Sequence, residues 1–272
     1  MDRNYRPSMT DKILVFIPAY NCENQIGRVL RQFEGLEGRF SEILVVDNRS
    51  PDNTAHAALT AAASLAIPVQ VVRNHENYGL GGSHKAAFLY AAREGFDYCV
   101  VLHGDDQGNI RDLVPLLETG EHHRHDCLLG ARFMPGSRLV GYSWFRTFGN
   151  RVFNALFSIG AGRRLYDLGS GLNLYRVGAL KTGNWLGFAN NLTFNYYMVL
   201  ASVYWKWKLR FFPITWREED QVSNVKLTRQ SIQVLGILAS YVFKRQSFLA
   251  DNHSGRASTD YGFSEVGRNR ND

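Results

Sequence analysis

Two hydrophobic periods take turns along the first half of this chain. Residues 12–20, "KILVFIPAY", are an apolar run of strand length that ends in proline and polar residues. Behind it, Ile26, Val29, Leu30 and Phe33 recur at helical spacing, with Asn21 placed to cap that helix. The cycle repeats in "SEILVVDNRSPDNT" (41–54): a strand closing on Asp47, turn residues, then an alanine-rich helix from about Thr54. "PVQVVRN" (68–74) reads as a third strand, "NHENYGLGGS" (74–83) as a glycine-rich loop, and the residues through Lys85 to Arg93 as a helix. A fourth strand opens "DYCVVLHGDDQGN" (97–109), and "NIRDLVPLLE" (109–118) has helical spacing. Strands alternating with helices at this rhythm predict an α/β fold, a mostly parallel sheet with crossover helices.

The second half is less regular. "SWFRTFGNRVFNALFSIG" (143–160) is an aromatic-rich helix carrying Arg146 and Arg151. "DLGSGLNLYR" (167–176) reads as a turn entering a strand, and "NLTFNYYMVLASVYW" (191–205) as a helix. "WKLRFFPITWRE" (207–218) is a strand interrupted by Pro213. A last helix, 229–249, aligns Ile232, Leu235, Leu238, Ala239, Val242 and Phe243 on one face, which either packs on the domain or lies on a membrane. The polar residues 250–272 are expected to be disordered, and residues 1–11 form an N-terminal tail before the first strand. The halves 12–131 and 132–228 belong to one domain.

Composition narrows the class. A chain of 272 residues that is 45% hydrophobic and 21% charged is an ordinary globular protein. No signal peptide is expected, and no run approaches the ~18 apolar residues of a membrane span. Cys22, Cys99 and Cys127 are odd in number and far apart, which favours a reduced, cytoplasmic setting over a disulfide framework. Charge is unevenly placed. Residues 1–131 carry a net −5 and residues 132–249 a net +12. A half this basic either shows water a solvated face or meets an anion such as a phosphate or an acidic membrane surface. No nucleic-acid-binding module accompanies it.

Ligands of parallel sheets sit at the carboxyl ends of the strands. That rule gathers Pro18–Glu23, Asp47–Asp52, Asn74–Ser83 and His103–Gln107 on one rim. His103 and Asp105 are two apart and share a strand face if the strand continues, and Gln107 extends the set, so these three are candidate ligands for Mg²⁺ or Mn²⁺. Asp106 points elsewhere on that geometry. "YGLGGS" offers backbone N–H groups near a helix start, which suits an anion, and Gly79, Gly81 and Lys85 are assigned to the donor side. A dinucleotide site is disfavoured, because the first β–α turn, "PAYNCEN", has no glycine.

"IPAYNCE", "ILVVDNRSPDNT", "RNHENYGLGGSHKAAF", "VVLHGDDQGN", "LLGARF" and "DLGSGLNLYR" occur in the order found in family 2 glycosyltransferases. Residues 12–228 resemble that family, and within it the dolichyl-phosphate mannosyltransferase-like, or polyprenyl-phosphate glycosyltransferase, branch. The resemblance implies a GT-A fold and an inverting, metal-dependent transfer from a UDP- or GDP-linked sugar. It implies that Pro18, Tyr20, Asn21, Glu23, Asp47 and Ser50 cradle the nucleotide. It matches Asp105 to the second acid of the family's DxD motif and Gln107 to a glutamine two positions on; His103 stands in the first acid's place. Ser170 matches the serine beside the acceptor phosphate.

A sugar-hydroxyl acceptor needs a general base, which hydroxyl-acceptor members of the family supply as a carboxylate in the second half. From Leu168 to Arg217 this chain has no Asp or Glu. A phosphate acceptor is already ionised and needs cations instead. Arg132, Arg163, Arg164, Arg217 and Lys226 are the candidates. The expected reaction is therefore transfer to a polyprenyl phosphate at the inner face of the cytoplasmic membrane. The alternative is a hydroxyl of a lipid-linked glycan or polysaccharide, and Asp167 is the nearest acid that could serve it. A more remote reading is a non-catalytic protein that binds nucleotide sugars or an anionic membrane.

Overall fold

The computed structural model describes residues 11–181, 183–218 and 227–269, with the backbone alone at 227–230. The alternating half folds as its periods dictate. β1 (Ile13–Ala19), β2 (Glu42–Asp47), β3 (Val69–Asn74) and β4 (Tyr98–Leu102) are parallel neighbours in the order β3–β2–β1–β4. They are joined by α1 (Glu23–Arg31), α2 (Thr54–Ala62) and α3 (Gly79–Arg93). β1 is buried on both faces and so has no polar alternation. Leu14 and Phe16 enter one apolar layer with Phe88 of α3. Ile13, Val15 and Ile17 enter the opposite layer with Ile26 and Val29 of α1.

After a 3₁₀ turn at Ile110–Asp112 and the short α4 (Val114–Glu118), a second 3₁₀ turn, Glu121–Arg124, leads into β5 (Cys127–Ala131). β6 (Arg138–Val140) and α5 (Trp144–Ala161) follow, then β7 (Leu172–Arg176), α6 (Val177–Leu180) and α7 (Phe194–Tyr204). β8 (Leu209–Pro213) completes the main sheet on this side, and β9 (Thr215–Arg217) pairs with β6 in a small second sheet. The main sheet runs β10–β3–β2–β1–β4–β7–β5–β8, with β7 antiparallel to β4 and β5. The second half therefore extends the same sheet.

Several expectations need correction. Asn21 does not cap α1: it sits in the left-handed region at φ 53°, and Cys22 takes the cap position without a side-chain bond. The glycines of "YGLGGS" form the first turn of α3 rather than a loop before it. Residues 109–118 break in two, because Pro115 has no N–H to continue the earlier turn and can only open a new helix. Pro213 ends β8 instead of interrupting it.

The largest correction is at the C-terminus. The last helix is α8 (Leu227–Phe243), followed by α9 (Arg245–Ala250). Within the supposedly disordered 250–272, β10 (Phe263–Arg268) pairs antiparallel with β3. Composition alone suggested disorder, but β3 offers an unpaired edge, and a strand satisfies it.

Candidate active site

The carboxyl ends of β1, β2, β3, β4, β5 and β8 face one way and form the expected rim. At the ends of β1 and β2 the backbone is held by short polar side chains. Asn21 N donates to Ser50 Oγ (3.0 Å) and Ser50 N donates to Asp47 Oδ1 (2.9 Å). Asp47 is fully buried, and its second oxygen accepts Arg73 Nε at 2.6 Å. Asp47 therefore shapes this wall from behind, whereas Tyr20 stands exposed on it. Glu23 accepts Asn53 N at 3.1 Å, joining α1 to the start of α2. Pro18 contributes its carbonyl, which accepts Gly104 N (3.0 Å) and ties β1 to the turn after β4.

That turn carries the acids. Asp106 adopts φ 59° and swings toward α1, where Arg28 Nε (2.6 Å) and Gln32 Nε2 (3.0 Å) hold it. Asp105 stays at the rim, and Gln107 N donates to its Oδ1 at 3.3 Å. Gln107 O in turn accepts Arg217 N at 2.9 Å, so β9 brings an exposed arginine next to the acids. His103 packs inward against Gly171, where a Cβ would lie 2.8 Å from its ring. Its ring is 6.1 Å from that of His84, and its Nε2 has no partner among the described residues. Burial, with the charge of Arg132 adding, pushes His103 down to about 4; burial, with His103 beside it, pushes His84 down to about 3. Both rings are neutral at physiological pH.

The glycine-rich segment does not fit the anion cradle expected of it. Gly81 N and Gly82 N donate to Asn190 O (2.8 and 3.3 Å), and Gly79 N donates to Asn77 Oδ1 (3.0 Å). The glycines are there for close approach: a Cβ on Gly81 would lie 2.3 Å from Ala189 O. Lys85 is buried, and its Nζ donates to Phe188 O (2.5 Å), Asn190 Oδ1 (2.7 Å) and Tyr261 OH (3.1 Å). Gly79, Gly81 and Lys85 thus hold the 188–190 segment and the C-terminal strap in place instead of facing a diphosphate. The rim segments also carry asparagines that bond one another behind this wall, a network the sequence did not disclose. Asn48 Oδ1 accepts Asn74 Nδ2 (2.9 Å) and Tyr78 N (2.8 Å), and Asn48 Nδ2 donates to Asn77 (2.8 Å).

Beyond the end of β5, Arg132 and Asp167 form a two-pronged ion pair. Nε and Nη2 of Arg132 each lie 2.8 Å from a carboxylate oxygen, and Arg132 N donates to Oδ2 at 2.9 Å. The guanidinium is flanked by the rings of Phe133 and Trp216. Burial opposes its charge, but Asp167, with Tyr142 and Tyr196, outweighs that and raises its pKa further. Ser170 is turned inward, its Oγ 3.3 Å from Leu172 O and from Asn173 Oδ1.

The remaining cations disperse. Arg163 donates to Leu209 O (2.5 Å) at the start of β8, the end remote from the rim. Arg164 is exposed and stacks on Tyr166, and Lys226 lies outside the described residues. A cluster of arginines around an acceptor phosphate is therefore reduced to Arg217 at the surface and Arg132 beneath. Glu218, one residue beyond the acid-free stretch, was missed. β9 carries it close to the rim, where it pairs with Arg146.

Comparison with known proteins follows the same lines. The model of glycosyl transferase family 2 matches residues 14–183. The chain is 30% identical over 164 residues to an undecaprenyl-phosphate mannosyltransferase of Micrococcus luteus, covering 57% of this chain and 66% of that protein. It is 30% identical over 165 residues to a polyprenol monophosphomannose synthase of Mycolicibacterium smegmatis, covering 58% and 59%. It thus spans slightly under two thirds of those relatives. Among solved structures, glucosyl-3-phosphoglycerate synthase of Mycobacterium tuberculosis, in complex with Mn²⁺, UDP and phosphoglyceric acid, superposes with a TM-score of 0.63 at 18% identity, covering 94% of this chain and 87% of that one. The fold is the GT-A arrangement of such neighbours.

Proposed function

The chain belongs to glycosyl transferase family 2, and on that premise we propose that it moves a sugar, with inversion, from a nucleotide-sugar donor to a polyprenyl phosphate. The observation that carries this reading is the condition of Asp167. It is one of the two acids that flank the carboxylate-free stretch, yet its side chain is only 2% exposed and both oxygens are taken by Arg132. A carboxylate whose oxygens are occupied in this way has none left to face a sugar hydroxyl. A phosphate acceptor asks for no base.

In this reading the nucleoside, UDP or GDP, lies along Pro18, Tyr20, Asn21 and Glu23, with Asp47 and Ser50 fixing the wall behind. Asp105 and Gln107 share one turn at the end of β4 and offer hard oxygen donors, which suit Mg²⁺ or Mn²⁺. His103, at the first-acid position, supports the turn from below. When bound, the cation would supply positive charge to the donor diphosphate. Arg217 and the potential of Arg132 hold the acceptor phosphate opposite. A phosphate oxygen forms the new bond to the anomeric carbon as the bond to the diphosphate breaks, and the electron pair leaves with the nucleotide. No proton needs to move.

The lipid part of the acceptor finds support in an exposed apolar surface. α5 presents Trp144 (79% exposed), Phe145, Phe148 and Ile159 to solvent. α8, which meets α5 at Gly160, buries Val234, Ile237 and Tyr241 and exposes Ile232, Leu235 and Phe243. No helix among the described residues is long and apolar enough to cross a membrane. A peripheral seat on an anionic membrane, at its inner face, agrees with the +12 half.

A second reading has one observation in its favour: Glu218 near the rim could serve as base for a sugar hydroxyl of a lipid-linked glycan. The deciding experiment incubates the protein with UDP- and GDP-sugars, polyprenyl phosphate and Mn²⁺, and extracts labelled lipid. A lipid product whose formation survives Glu218→Gln but not Asp105→Ala supports the proposal. Transfer to hydroxyl acceptors alone, abolished by Glu218→Gln, replaces it.

A further inference from the structure

At the opposite end of the sheet from the rim, the run Glu121-His-His-Arg-His-Asp126 plays no part in sugar transfer. Short histidine-rich tracts of this kind are metal-binding in composition. We propose that Asp11, His122 and His123 form a second, non-catalytic cation site that takes a borderline divalent ion of the zinc class.

The three side chains come from two places that the fold brings together. Asp11 immediately precedes β1, and both histidines sit on the 3₁₀ turn Glu121–Arg124 that leads into β5. Asp11 Oδ2 lies 3.0 Å from His122 Nε2 and 2.6 Å from His123 Nε2. All three potential ligand atoms fall within 4.8 Å of one another. An ion bonded at roughly 2.0–2.1 Å sets tetrahedral donors about 3.3 Å apart, so the carboxylate would part from His122 by about 0.3 Å and from His123 by about 0.7 Å.

The orientation of His122 is the second observation. Its Nδ1 lies 3.3 Å from Leu116 O, a carbonyl that can only accept, while Nε2 faces a carboxylate that can only accept. When Nδ1–H is donated to the carbonyl, the Nε2 lone pair points at the Asp11 oxygen, the place a shared cation would take. A carbonyl on the far nitrogen is the usual way a metal-binding histidine is oriented.

The remaining surroundings hold this geometry. Tyr98 packs edge-on to the buried His122 ring, centroids 5.0 Å apart, and Arg176 Nη2 donates to His123 O at 2.5 Å. Asp11 and His123 are partly exposed, and Asp11 borders an open cavity of about 490 Å³, which gives an ion a way in.

Two imidazoles and one carboxylate are the donor set of a zinc-class ion, unlike the oxygen set at the rim. The site is also remote from the reaction. β1 has seven residues, and at about 3.3 Å each they place it roughly 20 Å from the rim. Its role is to pin the segment before β1 to the turn before β5.

The test uses the full chain, stripped with chelator, dialysed and titrated with ZnCl₂ by calorimetry, with thermal melting in parallel and Co²⁺ absorption as a coordination probe. One equivalent of Zn²⁺, a raised Tm and visible Co²⁺ bands are expected. His123→Ala should lose all three. Asp11→Asn, which keeps the side-chain shape, should weaken Zn²⁺ binding about ten-fold or more while melting like the metal-free parent. Asp105→Ala should keep the full equivalent. A parent protein without micromolar zinc affinity overturns the site. So does an undiminished equivalent in His123→Ala, or its loss in Asp105→Ala.

Discussion

Replacing Asp167 with asparagine separates the two accounts of the acceptor. The carboxylate accepts four hydrogen bonds: three from Arg132, at 2.8, 2.8 and 2.9 Å, and one from Gly169 N at 3.1 Å. Side-chain exposure is 2% for Asp167 and 13% for Arg132, so solvent cannot take over when the pair is broken. Asparagine turns an amide N–H₂ toward a guanidinium donor and leaves that cation uncompensated. Breaking a buried pair in this way costs about 3–5 kcal/mol, against at most about 1 kcal/mol for an exposed one. Set beside a typical total of about 5–15 kcal/mol, the variant should remain folded but visibly weakened. Urea unfolding followed by tryptophan fluorescence and circular dichroism measures the loss. Arg132→Leu combined with Asp167→Leu should recover most of it, since neither charge is then buried. Transfer by Asp167→Asn should fall in step with acceptor affinity and with the folded fraction. The reasoning is refuted by a variant that loses under about 1 kcal/mol yet drops a thousand-fold in kcat. That result would make Asp167 a base and the acceptor a hydroxyl.

Other outcomes follow from the same geometry. Asp105→Ala should lower transfer by about 10²–10³-fold with an unchanged melting curve, and near-normal turnover would remove Asp105 from the reaction. His84 and His103, held neutral by burial down to about 3 and about 4, bind protons in the unfolded chain from pH 6.5 downward but not in the folded one. Stability should therefore fall as pH drops from 6.5 toward 4, less steeply in His84→Leu; equal urea midpoints for the two proteins at pH 5 relative to pH 7 would contradict this. Gly81→Ala places a methyl 2.3 Å from Ala189 O and 2.7 Å from Phe194 Cβ, and should cost about 1–3 kcal/mol or more; a neutral effect in urea would show that the 188–191 segment yields freely. Trp144→Ser with Phe148→Ser should release the protein from anionic vesicles in flotation while leaving the fold intact, because both side chains are exposed; undiminished flotation would move the docking surface elsewhere.

What the sequence disclosed and what it hid divide along physical lines. The four parallel strands β1 to β4 and the rim were legible because strands buried on both faces are continuous apolar runs and parallel sheets bind ligands at one end, whereas the order β3–β2–β1–β4 came only with the fold. Asp106 points away from the rim as expected, but for another reason: β4 ends at Leu102, and a left-handed φ of 59°, not strand alternation, turns it toward α1. Lys85 and the glycines were misread because their meaning depends on Asn190 and Tyr261, more than a hundred residues further along. Glycine in a first helical turn suits an approaching backbone as well as it suits a phosphate. Likewise, Arg132 looked like a free cation until the fold placed Asp167 against it. β10 was invisible because an edge strand can be polar, and its stabilisation comes from β3 rather than from its own side chains.

Two independent features of the second half point to the same kind of acceptor. The first is chemical. The stretch from Leu168 to Arg217 holds no acid, and the acid just before it is bound up with an arginine, which suits a nucleophile that arrives already ionised. The second is interfacial. α5 and α8 keep large apolar side chains in solvent, as docking surfaces do. An ionised nucleophile alone would suit any soluble phosphate, and an apolar face alone would suit many partners. A phosphate at the end of a lipid satisfies both. On the proposed reading, the lipid would lie along the exposed helices while its head reached Arg217 and the turn that carries Asp105.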